Sequence, residues 1–218
     1  MTPLIRINIE RSKRYGYFNL SLPYRMATAK RRALPDFLII GTQKGGTKSL
    51  SYFLSQHPQV HMPVSIIGEL HYFDRDSNYK KGDLWYRSHF PFRSAIKPGE
   101  LVGETTPAYL RLPDAAKRIQ KDIPNAKLIC LLRNPTERAI SNYFMSLKNK
   151  TEHLPILEAM RTDRGLYRNR GLYLDQIKRY ESYLKKKQLL ILSSEEFFAN
   201  PQKILRRLYK YLHRDFGW

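Results

Sequence analysis

Asp36-Phe-Leu-Ile-Ile-Gly-Thr-Gln-Lys-Gly-Gly-Thr-Lys-Ser49 is a short apolar burst of strand-forming residues that runs directly into a glycine-rich turn. From Ser49 to His57 the composition becomes helical, and Pro58 ends it, so the order is strand, loop, helix. At such a junction the backbone N–H groups and the helix dipole favour a phosphate-like anion. Gly45 and Gly46 allow close backbone approach and positive φ, Lys44 and Lys48 bring charge, and Thr47 and Ser49 bring hydroxyl donors. The stretch therefore predicts a cradle for phosphate or sulfate; the plainer alternative is a turn with two exposed lysines.

Outward from this point, similar apolar bursts recur at Leu101-Val102, Lys127 to Leu132 and Gln188 to Leu192, with room between them for crossover helices. Asn134-Pro-Thr-Glu137 offers an N-cap, a proline at the first helical position and a capping-box glutamate. The helix it opens has Ile140, Tyr143, Phe144 and Leu147 at the spacing of a face that packs on a sheet. Strands alternating with helices predict an α/β fold: a P-loop-like domain with a mostly parallel sheet flanked by helices, binding ligands beyond the strands' carboxyl ends. With 218 residues, the reading is one domain over 35–218 behind a basic leader, 1–34.

The formal net charge of +20 calls for anionic partners. Residues 1–32 hold Arg6, Arg11, Lys13, Arg14, Arg25, Lys30, Arg31 and Arg32 against Glu10 alone, which fits either a solvated arm or a polyanion contact. Nucleic acid would bind only through non-specific charge. The single cysteine, Cys130, rules out an internal disulfide and fits a reducing, cytoplasmic setting. No stretch nears the ~18 apolar residues of a membrane span, so no transmembrane segment is expected.

Measured against the nucleotide P-loop, G-x-x-x-x-G-K-[ST], the spacing is off by one, and Thr47 stands where the lysine belongs. A P-loop kinase or NTPase also wants an acid near a strand end to help hold Mg²⁺, whereas Lys127 to Leu132 is followed by Arg133. Arginine there suits direct, bidentate capture of an anion, and Ser141 adds a hydroxyl; an ordinary surface ion pair is the alternative for Arg133. Gly68-Glu-Leu-His-Tyr-Phe-Asp74 gathers three titratable groups. In an extended segment Glu69 and His71 share a side, so that a carboxylate could take a proton while an imidazole tunes it. The same residues would also make a loop with a partly buried ion pair. His57 and His61 are spaced i, i+4, but Pro58 interrupts them and no third ligand stands out, so no metal is expected.

Taken together, FLIIGTQKGGTKSL, GELHYFD, GETTPAYL, LICLLRNPTERAISNYF, RGLYLDQI and SSEEFFANP resemble the sulfotransferases that use 3′-phosphoadenosine 5′-phosphosulfate (PAPS), in particular the heparan-sulfate-type branch and its bacterial relatives. The resemblance runs from about Asp36 to Trp218. It implies sulfuryl transfer to a hydroxyl or amine, with a carbohydrate as acceptor and without a metal. It implies that Lys44 to Ser49 hold the 5′-phosphosulfate, with Lys44 bridging to the sulfuryl, and that Arg133 and Ser141 bind the 3′-phosphate. Glu69 is implied as general base with His71 and Asp74 in support, and Gly171 and Tyr173 lie in a segment that nears the nucleotide. Two departures stand out. Thr105 replaces a lysine usual in relatives, and the helix at Pro201 to Tyr211 abuts Asp215-Phe-Gly-Trp218 where relatives carry a basic nucleotide-covering loop. The second departure implies weak donor binding, a polyanion-binding relative of the enzymes, or replacement of that loop by another segment.

Overall fold

The computed structural model describes residues 21–63, 69–164, 166–184 and 187–212. Five strands, β1 (Phe37–Gly41), β2 (Val60–His61), β3 (Leu101–Thr105), β4 (Lys127–Leu132) and β5 (Leu189–Ser193), form one sheet in the order β2-β3-β1-β4-β5. Every pairing is parallel. β1 and β3 are buried at every residue, as a parallel sheet covered on both faces requires.

The helices are α1 (Thr47–Ser55), α2 (Asp76–Tyr79), α3 (Gly82–Arg87), α4 (Pro113–Asp122), α5 (Pro135–Lys148), α6 (Ile156–Thr162), α7 (Tyr173–Glu181), α8 (Ser194–Ala199) and α9 (Pro201–Tyr211). Leu50 and Leu54 of α1 share one core with Ile204, Leu205 and Leu208 of α9, against Phe37, Ile39 and Ile129. Ala115, Ala116 and Ile119 of α4 and Tyr180 of α7 build the opposite core, against Leu38, Ile40 and Leu128. The connection leaving β1 thus crosses on one face and that leaving β3 on the other. Chains that part in this way open a crevice at the strands' carboxyl ends.

Two readings of the sequence are corrected. Phe144 and Leu147 of α5 are exposed, and the helix buries Arg138, Ala139, Asn142 and Tyr143 instead. Of the predicted face only Tyr143 is buried, and it packs with Ala139, Ala159 and Tyr167 in a small satellite cluster away from the sheet. Of the basic leader, residues 1–20 lie outside the described residues, and 21–34 are not a free arm. Ala29 and Arg32 are buried, Arg25 donates to Ser88 O (2.6 Å), and Arg32 donates to Phe90 O (2.9 Å). These guanidiniums cap chain carbonyls, which draws their charge into the domain. Asp215 to Trp218, Lys185 and Lys186 also lie outside the described residues.

Candidate active site

β1 and α1 position the anion loop. Thr42 N donates to Leu131 O at 2.9 Å, tying the start of the loop to β4. A Cβ on Gly45 would lie 2.5 Å from that same carbonyl oxygen. Gly46 takes φ +90° as it enters α1, where a Cβ would lie 2.8 Å from the Phe198 ring. Both glycines are thus fixed by space, and Gly46 by conformation as well. No side chain caps α1, which leaves its first-turn amides to another acceptor.

β4 and α5 position the second cationic group. Asn134 caps α5 through its side chain, accepting from Thr136 N (3.0 Å) and Glu137 N (3.2 Å). The reciprocal half of the capping box comes from elsewhere: Glu195 accepts from Asn134 N at 2.7 Å. Glu137 instead lies 3.4 Å from the Arg133 guanidinium, whose other end reaches Lys44 O, also at 3.4 Å. Contacts of this length hold Arg133 loosely and leave its donors available to an anion.

A cavity of about 290 Å³ is lined by Gln43, Lys44, Gly46, Thr47, Lys48, Glu69, Pro107, Arg133, Ser141, Met145 and Phe198. The structure therefore brings the glycine loop, Arg133, Ser141 and Glu69 to one space. Gly45 and Ser49 do not line it; Gly45 packs beneath the loop. Tyr173 does not line it either: its hydroxyl donates to Arg133 O at 2.8 Å and so supports the arginine from behind. Gly171 sits against Pro135, where a Cβ would approach to 2.9 Å. Burial, with Lys48 and Arg133 as like-charged neighbours, lowers the Lys44 pKa from its ordinary value.

Glu69 also borders a second cavity of about 380 Å³, together with Gln43, His71, Asp74, Arg75, Arg111, Arg170 and Gln176. His71 bridges the two acids, with Nδ1 2.7 Å from Asp74 and Nε2 3.3 Å from Glu69. The expected juxtaposition of Glu69 and His71 is present, but it does not come from strand alternation. The segment is not a strand, and His71 takes φ +51°. Burial opposes charging of His71, yet its hydrogen bonds to Asp74 and Glu69 outweigh this and raise its pKa to about 9. The same hydrogen bonds favour the imidazolium form of His71 between Glu69 and Asp74.

Sequence reasoning missed Phe198, Met145, Arg75, Arg111, Arg170 and Gln176. Arg170 and Gln176 lie within RGLYLDQI and Phe198 within SSEEFFANP, stretches quoted for the family resemblance, but no spacing pattern marks any of the six for chemistry. The paired histidines part company: His61 pairs with Glu100 (2.8 Å), while His57 accepts from Gln59 N (3.2 Å) and packs on Tyr209. A larger cavity, about 410 Å³, opens at the other end of the sheet beside Leu34, Pro124 and Leu212, and contains none of the residues singled out for chemistry.

A parallel sheet with a glycine-rich loop after β1 and an arginine after β4, both lining one cavity, defines a P-loop-like α/β domain. The profile described as "Sulfotransferase domain" matches residues 34–217, and the chain belongs to that family. It is 35% identical over 190 residues to human heparan sulfate glucosamine 3-O-sulfotransferase 6, covering 84% of this chain and 53% of that protein. It is 42% identical over 120 residues to the membrane-associated sulfotransferase kil1 of Dictyostelium discoideum, covering 55% of this chain and 24% of that one. The chain thus spans about half of the first protein's length and a quarter of the second's. Among solved structures, a sulfotransferase from Alicyclobacillus acidocaldarius superposes with TM-score 0.71 at 28% identity, over 85% of this chain and 83% of that one.

Proposed function

We propose that this chain transfers the sulfuryl group of PAPS to a hydroxyl or amine of a glycan. The observation that carries the reading is the single cavity shared by the glycine loop, Arg133, Ser141 and Glu69. A donor with a phosphosulfate on one side of a nucleoside and a phosphate on the other needs two sets of anion grips. Lys44, Lys48, Thr47 and the first-turn amides of α1 would hold the phosphosulfate, and Arg133 with Ser141 the 3′-phosphate. Phe198 and Met145 add apolar surface suited to the adenine. Among the described residues that line the cavity Glu69 is the one acid, set against Lys44, Lys48 and Arg133.

In the step itself the acceptor oxygen or nitrogen bonds to sulfur as the bond from sulfur to the 5′-phosphate oxygen breaks. The acceptor's proton passes to the Glu69 carboxylate, a contribution of about 10²–10⁴-fold for a placed base. Lys44 and the loop amides offset the charge growing on the departing phosphate oxygen, as in an oxyanion hole. Asp74 holds His71, and His71 in turn holds Glu69. The acceptor would enter through the second cavity, which borders Glu69 and carries Arg75, Arg111 and Arg170. The relatives' names point to heparan sulfate glucosamine as their acceptor, which supports a glycan here. The single cysteine, buried in β4, supports a reducing, cytoplasmic setting.

Calorimetric titration with 3′-phosphoadenosine 5′-phosphate, set beside ADP, tests the reading. An Arg-paired phosphate should favour the bisphosphate by about tenfold or more. Equal affinity for the two nucleotides would remove the 3′-phosphate site and the proposal with it.

A further inference from the structure

Glu104 lies on the interior strand β3, opposite Leu38 of β1, and is fully buried. Three hydroxyls converge on its carboxyl: Tyr86 at 2.6 Å on Oε2, and Thr106 at 2.7 Å and Tyr109 at 2.8 Å on Oε1. Among the described residues it forms no salt bridge. A buried acid without a cation is costly, and in an apolar core it needs a reason beyond stability.

The reason lies one bond further out. Thr106 Oγ1 accepts from Leu70 N (3.1 Å) and His71 N (3.4 Å), and Tyr109 Oη accepts from Tyr72 N (3.1 Å). A hydroxyl has one proton. With Oε1 of Glu104 taking that proton from both Thr106 and Tyr109, their lone pairs are turned toward the three successive amides. On the other side, Asn78 Nδ2 donates to Leu70 O (3.2 Å) and His71 O (3.1 Å). Residues 70–72 are therefore gripped by three N–H and two C=O groups. The grip spans His71, whose φ of +51° a non-glycine residue keeps only when its surroundings fix it. Glu69 begins this segment.

We infer that Glu104 is a positioning residue for the transfer reaction: through Thr106 and Tyr109 it fixes the backbone of the segment that presents Glu69 and His71 to the cavity. The inference rests on the reading of Glu69 as the base. Burial raises the pKa of Glu104, but Oε1 remains an acceptor in either charge state if any carboxyl proton sits on Oε2, toward Tyr86. The device therefore works by geometry and not by charge.

The test uses Thr106→Val, which keeps shape and removes one relay, alongside Glu104→Gln, which keeps an acceptor oxygen for both hydroxyls. The Thr106→Val chain should lose about 10²-fold in kcat, the scale of a misplaced reacting group, with affinity for 3′-phosphoadenosine 5′-phosphate within about twofold of the parent. Deuterium uptake over residues 69–73 should rise in the same variant, whereas Glu104→Gln should keep both kcat and uptake close to the parent's. Unchanged kcat and uptake in Thr106→Val would overturn the proposal. So would a parallel loss of nucleotide affinity, or a Glu104→Gln chain as impaired as Thr106→Val. Failure of the base reading looks different: Glu69→Gln would remain active, and deuterium uptake would still answer to Thr106.

Discussion

Tyr173 reaches from the start of α7 to donate a 2.8 Å hydrogen bond to the backbone carbonyl of Arg133. The arginine that grips one end of the proposed donor is thus held from behind by an aromatic residue outside the cavity. Removing the Arg133 side chain deletes the grip; removing the Tyr173 hydroxyl only loosens its base. Arg133→Ala should weaken 3′-phosphoadenosine 5′-phosphate binding by about 10²-fold, and Tyr173→Phe by about fivefold, from ~3 and ~1 kcal/mol respectively. ADP binding should hardly respond to either substitution, and calorimetry reads all four values.

Gly45 supplies the second prediction. Its missing Cβ would sit 2.5 Å from Leu131 O, a backbone atom in the central sheet that cannot swing away. Gly45→Ala should push the loop off β4, breaking the Thr42 to Leu131 hydrogen bond and abolishing nucleotide binding while the sheet survives. A melting curve that stays cooperative, together with a flat titration, is the expected pair of results. An alanine variant that binds normally would mean that the loop does not need its close approach to the strand.

How far these features were legible beforehand varied with their physical origin. The strand at Lys127–Leu132 was readable to the residue, and the anion loop was readable because a strand, two glycines and a helix must follow one another closely in sequence. The helix after Asn134 was readable from its cap, but not the face it buries. Arg138 is fully buried in α5, and no periodicity rule places a guanidinium inside. Glu69 and His71 are singled out by proximity in the chain, yet their meeting depends on a left-handed residue and on hydroxyls from the turn after β3. Phe198 reaches Gly46 from a helix some 150 positions later, a contact that only the fold creates.

The His71 imidazole sets a pH dependence. Its pKa is raised from 6.5 to about 9, since burial disfavours the charge but Asp74 and Glu69 more than restore it. A group raised on folding stabilises the folded chain fully below its unfolded pKa and loses that contribution as pH climbs through the folded one. Denaturant midpoints should therefore fall between about pH 6.5 and 9. His71→Gln should flatten that slope, leaving the variant less stable at pH 6 and nearly matched to the parent above pH 9. A parent chain with a level profile over this window would show that the imidazole is not charged in the folded state.

The acceptor side yields the last prediction, because Arg75, Arg111 and Arg170 gather on it. Arg170 borders the cavity beside Glu69, and its pKa is lowered to about 10, first by burial and then by Arg111 and Arg138. Among the described residues neither Arg111 nor Arg170 forms a salt bridge, and an anionic acceptor seated between them would offset their mutual repulsion. On the proposed reading, Arg111 and Arg170 would hold a sulfate or carboxylate of the glycan while a nearby hydroxyl meets Glu69. Arg170→Ala should raise KM for a sulfated or carboxylated glycan by about tenfold or more, with 3′-phosphoadenosine 5′-phosphate affinity intact. The parent's KM should climb with salt, and the variant's more shallowly, since one screened contact is gone. A neutral oligosaccharide used as well as a charged one, with no response to Arg170→Ala or to salt, would leave these arginines without a part in acceptor choice.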